Sequence, residues 1–293
     1  MADSNAQADI RGIDIDKVAK GFAEEVIQLK RFVRNSKTYA REIRWYSKTS
    51  GILDSVDTTG ITASQLNTSA KSLPTVVEQS WTRNTSYVKH FFVESPWISE
   101  ADIQDTDVDI LTANVEDLVR AVAQQVNLRI WDVLSESQSA VNLNAVAITD
   151  EWDDYTNATP ILDIMSAKRL IRIAGYNPEG AVLLLNDNEH KFLINWLISQ
   201  KGASIPAFAS DRVKDGVVME LLGCKVVVDQ NVTADYAMLF LPETTATWKA
   251  FKEITSVVIE DKGIGRKVRV WEDGECILTD PKSGVLFSNV GPT

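Results

Sequence analysis

The sequence predicts an α+β fold, in which a long helix, a mixed helix and strand region and a closing series of strands follow one another. The longest periodic segment, Asp107–Ser135, carries apolar residues three and four positions apart. Residues 159–197 read as helix, strand and helix, and β-rich runs separated by turn residues fill most of 217–279. Strands and helices do not alternate regularly, so the pattern argues against a repeated βαβ architecture.

Length and composition indicate an ordinary folded chain. Its 293 residues predict one large domain or two smaller ones, and 44% hydrophobic with 24% charged residues is a globular composition. The net charge of -11 argues against a general binder of nucleic acid or membranes. No apolar run approaches the ~20 residues of a membrane span, and the polar N-terminus does not resemble a secretory signal. The two cysteines, Cys224 and Cys276, form no disulfide framework and favour a reducing compartment.

Charge is segregated along the chain. The basic stretch, residues 30–48, holds seven Lys or Arg and one acid, whereas 94–117 holds eight acids and 132–163 seven, with no base in either. Such segments either form solvated faces or attract each other, within one molecule or between copies.

The N-terminal third predicts appendages without a core of their own. Asp16–Arg34 has a helical apolar stripe that needs a partner, and 55–72 is rich in Ser and Thr. Strand-like material follows at Thr75–Val77 and Tyr87–Val93. Together these segments predict an extended two-stranded hairpin with a polar tip, and such a hairpin is marginal in water unless it lies on another surface.

The helices have recognisable ends. Acidic residues at 105, 107 and 109 suit the start of the Asp107–Ser135 helix, because its N-terminus is partly positive. Thr159 is the expected N-cap of the next helix, with Pro160 in its first turn and Gly175 after its end. Its inner side is predicted to consist of Ile161, Ile164, Met165, Lys168 and Ile171. After a buried strand at Ala181–Leu185, Asn186 or Asp187 caps a helix that carries Phe192, Leu193, Trp196 and Leu197.

The last third predicts mainly antiparallel strands. The candidate strands are Val217–Leu221, Lys225–Val228, Ala237–Leu241, Ser256–Glu260, Lys267–Glu272 and Cys276–Thr279. Turn residues separate them: Gly223, the Asp261–Gly265 loop, the Asp273-Gly274 pair and Pro281.

No residue is assigned a catalytic, cofactor-binding or metal-binding role. His90 and His190 lack metal-ligand spacing, both cysteines read as small strand hydrophobes, and Gly263-Ile264-Gly265 reads as a turn, not a phosphate loop. The acidic loop, residues 150–154, could hold a hard cation or form a solvated loop. Trp152 within it could be a sugar platform or a loop anchor.

The order of elements resembles the major capsid protein of tailed bacteriophages and related archaeal viruses, the Hong Kong 97-type fold. The resemblance rests on the charged arm, the extended loop, the long helix, the run TPILDIMSAKRLIRIAGYNPEGAVLLLNDNEHKFLINWL, the pair GVVMELLGCKVVVDQNV and the ending GECILTDPKSGVLFSN. It implies an N-terminal arm (1–46), an extended loop (47–93), a peripheral domain with a spine helix (94–157), an axial domain (158–250) and return strands to the peripheral domain (251–293).

The resemblance also implies a non-enzymatic structural protein of the virion. Copies would self-assemble in the host cytoplasm as hexamers and pentamers of an icosahedral shell around double-stranded DNA, without sequence-specific DNA binding, cofactor or membrane contact. Separate scaffolding, portal and decoration proteins are the expected further partners. The alternatives are an encapsulin-type nanocompartment shell, another virion component associated with the tail or portal, and, in a different class, an acid-rich hydrolase using Asp150–Asp154 with Trp152.

Overall fold

A computed structural model describes residues 29–48, 81–99, 110–154, 156–201 and 220–292. The chain forms two compact units. The first is drawn from Met1–Ile43, Ser86–Trp131 and Trp248–Ile277, and the second from Arg44–Thr85, Asp132–Thr247 and Leu278–Thr293. Three predicted features lie outside the described residues: the acidic start of the long helix, the polar hairpin tip at 55–72 with Thr75–Val77, and the helical stripe before residue 29.

The first unit is built on a four-stranded sheet in the order β1-β10-β11-β4. These strands are β1 (Arg34–Lys37), β10 (Ala246–Asp261), β11 (Gly265–Leu278) and β4 (Lys89–Glu94). The long helix α1 (Ile110–Leu134) confirms the predicted helix, and its apolar stripe packs against the sheet. The resulting core consists of Ile98, Val115, Leu118, Val119, Val122, Ala123, Ile254, Val268 and Val270.

Strand β11 corrects one sequence prediction, and the turn before it confirms another. The chain runs as one strand from Gly265 to Leu278, so the Asp273-Gly274 pair is not a turn. A Cβ on Gly274 would stand 2.5 Å from Cζ2 of Trp248, so glycine is required there because the indole lies against the backbone. The turn predicted at 263–265 is confirmed between β10 and β11, where Gly263 has φ +84°.

The start of the described chain also differs from prediction. Leu29–Arg31 form a single 3₁₀ turn, and Arg34–Lys37 is strand β1, so the helix predicted to reach Arg34 does not extend that far. Pairing with β10 fixes this backbone as strand, and such tertiary pairing overrides local helical periodicity.

The second unit contains a six-stranded sheet in the order β5-β12-β9-β6-β8-β7. Its strands are β5 (Asn144–Ala147), β6 (Val182–Leu185), β7 (Glu220–Leu221), β8 (Cys224–Val228), β9 (Tyr236–Phe240) and β12 (Gly284–Ser288). The strands of the last third pair antiparallel with one another, as predicted, in β7 with β8 and β9 with β12. Two of them also pair parallel with earlier strands, β8 with β6 and β12 with β5. Every residue of β6 is buried, as the AVLLL run predicted.

Helix α2 (Pro160–Ile173) confirms the predicted bounds but corrects two details. Thr159 precedes it without a side-chain cap; its backbone carbonyl instead accepts the N–H groups of Leu162 and Asp163. Gly175 ends it at φ +88°, with the paired backbone bonds of a Schellman motif. Met165 was predicted on the inner side of the helix but is 53% exposed. Ala167 is buried there instead.

The geometry of a helix explains the error at Met165. Ile164 and Ile171 are seven residues apart and share one face, and Ala167 lies within about 60° of that face at 100° per residue. Met165 points about 100° away from Ile164. Helix α3 (Asp187–Lys201) follows β6, and Asn186 caps it because its side-chain oxygen accepts the Asn188 N–H at 3.3 Å.

A separate two-stranded ribbon joins β2 (Glu42–Lys48) to β3 (Trp81–Tyr87). A two-stranded arrangement was predicted, but its first strand, Glu42–Lys48, precedes the segments from which the sequence predicted it. The strand predicted over Tyr87–Val93 is divided, however. Tyr87 ends β3, and β4 begins at Lys89 and pairs with β11 in the four-stranded sheet.

Candidate assembly surface

The β2–β3 ribbon presents large aromatic side chains to solvent. Tyr46 is 60% exposed, Trp81 51% and Tyr87 64%, and Tyr39, just before β2, is 91% exposed. An aromatic ring buries about 150–250 Å² when it finds a partner, and clustered exposed apolar groups mark interaction sites. One side of β2 is covered, since Ile43 is 6% and Ser47 5% exposed, whereas the described residues leave these rings open to another molecule.

Hydrogen bonds within the second unit hold the ribbon's backbone in place. The Trp45 indole N–H donates to the Leu278 carbonyl at 2.8 Å, and the Lys48 N–H donates to the Thr279 carbonyl at 3.1 Å. Across the ribbon, the Asn84 amide donates to the Ser47 hydroxyl at 2.7 Å. The ribbon that carries the exposed rings is therefore held by hydrogen bonds to residues 278 and 279, near the end of the chain.

Two buried ion pairs in the first unit tie other segments to β11. Lys30 pairs with Glu272, whose side chain is fully buried, and Arg129 of α1 pairs with Glu275, which is 1% exposed. The Ser86 hydroxyl also donates to Glu275 at 3.2 Å. These carboxylates anchor the start of the described chain, the long helix and the end of β3 to one strand.

The basic stretch meets acids of its own chain. Besides the Lys30–Glu272 pair, Lys37 lies 3.2 Å from Glu253 on the surface. Both acids lie outside the acidic stretches 94–117 and 132–163, so attraction between the basic stretch and those acidic stretches stays a prediction. Lys30 also lies over the Trp248 ring, with its ammonium group 5.4 Å from the centroid.

Neither histidine lies in a catalytic arrangement among the described residues. His90 is on exposed strand β4, pairs with Asp273 and stacks on Phe92 with ring centroids 4.7 Å apart. His190 lies in the first turns of α3, where burial lowers its pKa, with the Asp187 charge opposing that shift.

Both cysteines are buried in strands, as predicted. Burial raises the pKa of the Cys224 thiol, although Lys168 acts in the opposite direction. Burial also raises the pKa of Cys276 far above its usual range, and the neighbouring Glu275 charge adds to that effect. A thiol held neutral in this way is a poor nucleophile.

The acidic loop is organised by its own hydrogen bonds. Asp154 accepts the backbone N–H groups of Thr156 and Asn157 and the Asn157 side-chain amide at 2.8 Å; this last bond contributes most to its lowered pKa. Trp152 is fully buried and donates its indole N–H to Asp163 at 3.1 Å, so it is a loop anchor and cannot be a sugar platform. Within the described ranges, no group of three potential ligands is placed to hold a metal ion.

Sequence reasoning did not single out the exposed aromatic residues of the ribbon. The available signal was the composition of WTRNTSY, which places rings at both ends of a strand without an apolar face between them. In strands, aromatic residues more often indicate a core, and the sequence alone does not show which side of a strand is exposed.

A fixed, exposed ribbon, a long helix on a four-stranded sheet and a mixed six-stranded sheet define a Hong Kong 97-type capsid fold, the class to which shell subunits belong. Residues 97–286 match the family described as phage capsid protein, and the chain belongs to this family. It is a structural, shell-forming protein of the virion. None of the helices described is long and apolar enough to cross a membrane.

Solved structures share the fold at low sequence identity. A virus-like particle protein from Pyrococcus furiosus is similar with a TM-score of 0.62 and 11% identity, over 94% of this chain and 98% of that one. A phage-related protein from Bordetella bronchiseptica is similar with a TM-score of 0.64 and 12% identity, over 96% of this chain and 98% of that one. The capsid protein of the cyanophage P-SCSP1u is similar with a TM-score of 0.63 and 10% identity, over 89% of this chain and 87% of that one. A comparison with curated protein sequences finds no match.

Proposed function

We propose that many copies of this chain assemble as hexamers and pentamers into an icosahedral shell that encloses viral double-stranded DNA. The observation that carries the proposal is the β2–β3 ribbon, whose aromatic rings are left exposed by the described part of the chain. Covering the exposed half of one such ring gains about 2 kcal/mol at ~25 cal/mol per Å². Several rings per copy, repeated around a shell, add through multivalency.

In this proposal the chain is organised as the family resemblance implies. Residues 1–46 act as an arm and 47–93 as an extended loop on neighbouring copies. Residues 94–157 and 251–293 form the peripheral domain, and 158–250 the axial domain. Separate scaffolding, portal and decoration proteins are the further partners, and assembly takes place in the host cytoplasm.

The charge distribution supports a wall that does not grip DNA. The net charge of -11 repels phosphates, and Lys30 and Lys37 of the basic stretch already face carboxylates. We therefore assign the basic stretch to protein contacts. DNA is held by enclosure, and no sequence-specific contact is required.

Light scattering and electron microscopy test the shell directly. Purified protein or virions should give thin-walled icosahedral particles of megadalton mass. A protein that stays a 32.5 kDa monomer at high concentration under assembly conditions would refute the proposal. Nuclease-protected double-stranded DNA inside the particles is expected, whereas particles that enclose a specific protein cargo would favour the nanocompartment alternative.

Ribbon variants test the surface that carries the proposal. Replacing Tyr46 and Trp81 by serine should leave the subunit folded but raise the concentration needed for assembly. The matched control is Val141→Ser, which removes a side chain that is 76% exposed outside the ribbon. Equal effects of the ribbon and control variants on assembly would contradict a role for the ribbon.

A further inference from the structure

Helix α2 carries a second apolar stripe that the described part of its chain leaves uncovered. Leu162, Met165 and Ile173 are 58%, 53% and 62% exposed. At 100° per residue they follow one line along the helix, on the side away from buried Ile164 and Ile171. A helix that packs on a single sheet needs only its inner stripe, so the outer one is surplus to folding.

A strained leucine is tied to α2 through Lys168. Leu222, in the turn between β7 and β8, has φ +53° and is 40% exposed. The left-handed conformation costs a residue with a Cβ about 1 kcal/mol, and folding alone gains little from an apolar side chain held there in water. The Lys168 ammonium of α2 donates to the Leu222 carbonyl at 2.6 Å, which fixes the turn against the helix.

The two ends of α2 carry opposite charge. Arg169 and Arg172 are exposed in its last turns, and neither forms an ion pair in the part of the chain that the structure describes. The acidic loop lies at the other end, because Trp152 within it bonds to Asp163 in the first turn. Asp163 and Arg172 are nine residues apart, about 14 Å along the helix.

We propose that the outer face of α2, extended by Leu222, is a docking surface for the acidic loop of a second copy of this chain. The rigid helix keeps a copy's own loop away from its own arginines, so the complementary charges meet only between molecules. Exposed Asp150 and Glu151 supply the carboxylates. One copy offers a donor end and an acceptor end, which is the arrangement for a head-to-tail contact that closes into rings.

This inference rests on the proposed shell function and identifies one contact within it. The β2–β3 ribbon is a rival acceptor for the acidic loop, because Arg41 and Arg83 are also exposed. The α2 face is favoured because it combines exposed arginines, which form no ion pair with another described residue, with aliphatic side chains along one line. The two acceptors can be separated by charge reversal.

The experiment compares three double variants of the full-length chain, each checked for native circular dichroism. The loop variant is Asp150→Lys with Glu151→Lys, the helix variant is Arg169→Glu with Arg172→Glu, and the control is the ribbon variant Arg41→Glu with Arg83→Glu. Sedimentation velocity and negative-stain microscopy measure assembly at moderate ionic strength. We expect the loop and helix variants each to need about tenfold more protein to assemble, which corresponds to about 1.4 kcal/mol per contact.

Mixtures of the charge-reversed variants show which two surfaces contact each other, because assembly returns only when opposite charges meet. Mixing the loop and helix variants should restore hexamers, since each then meets an opposite charge on its neighbour, and combining both reversals in one chain should do the same. Mixing the loop and ribbon variants should not. Restoration by the ribbon variant, or loop and helix variants that assemble like the unaltered chain, would overturn this inference while leaving the shell proposal intact. An unaltered chain that never assembles would overturn both.

Discussion

Removing the Lys30 charge should destabilise the first unit strongly. Glu272 is fully buried, Lys30 is its cationic partner, and the second carboxylate oxygen has no hydrogen-bond partner among the described residues. Lys30→Met keeps most of the aliphatic stem and leaves the carboxylate buried without a countercharge. Loss of one partner of a buried pair costs about 3–5 kcal/mol, because the remaining charge is neither solvated nor paired.

The same substitution at Lys37 is the matched control. Lys37 and Glu253 are 71% and 55% exposed, so their pair is worth less than about 1 kcal/mol. The double variant Lys30→Met with Glu272→Met removes both buried charges and should recover at least half of the loss. The comparison therefore separates burial of the pair from mere loss of a lysine.

Urea unfolding of the full-length subunit, followed by circular dichroism under conditions that prevent assembly, measures these differences. The slope against urea should be the same for all variants, so that midpoints report stability. Equal losses for Lys30→Met and Lys37→Met would refute the reasoning. A double variant as unstable as Lys30→Met alone would also refute it, because the cost would then not come from the uncompensated carboxylate.

Three further predictions follow from single positions. Gly274→Ala should lower the free energy of unfolding by about 1–3 kcal/mol, because the new methyl group meets the Trp248 ring, and an unchanged urea midpoint would contradict this. Cys224 and Cys276 should resist a thiol reagent at pH 8 in the native protein and react quickly in urea, since burial raises both pKa values; rapid native labelling would refute it. Burial lowers the pKa of His190 below its unfolded value, so its contribution to stability is present above about pH 6.5 and is lost as pH falls. His190→Gln should therefore reduce the loss of thermal stability between pH 7 and 5, and identical profiles would count against this.

Local signals predicted the elements well where they act through the backbone of a few residues. Pro160 and Gly175 marked the ends of α2 because proline fixes φ and glycine accepts φ +88°. The AVLLL run predicted β6 because a strand covered on both faces needs no alternation. The stripe of α1 was readable for the same reason, since one face of a long helix must meet a sheet.

Distant packing decided the points that the sequence left open. A glycine serves either a turn or the close approach of a side chain, and only the position of Trp248 shows that Gly274 serves the second purpose. Strand direction between β6 and β8 depends on the path of the connection, not on the residues of either strand. The Lys30–Glu272 pair joins positions 242 residues apart, beyond the reach of any local pattern.

The sequence shows the runs of like charge, but it does not show where the fold places them on the surface. The net charge of -11 would describe equally well a surface of mixed charges, which offers a neighbour no preferred direction. The fold instead attaches the acidic loop to the first turn of α2 through Trp152, while Arg169 and Arg172 remain at the far end. Because opposite charges are fixed at the two ends of a rigid helix, two copies repel each other when like ends meet and attract each other when opposite ends meet. A shell subunit needs that selectivity, because copies that meet in the wrong orientation must separate again before a ring can close.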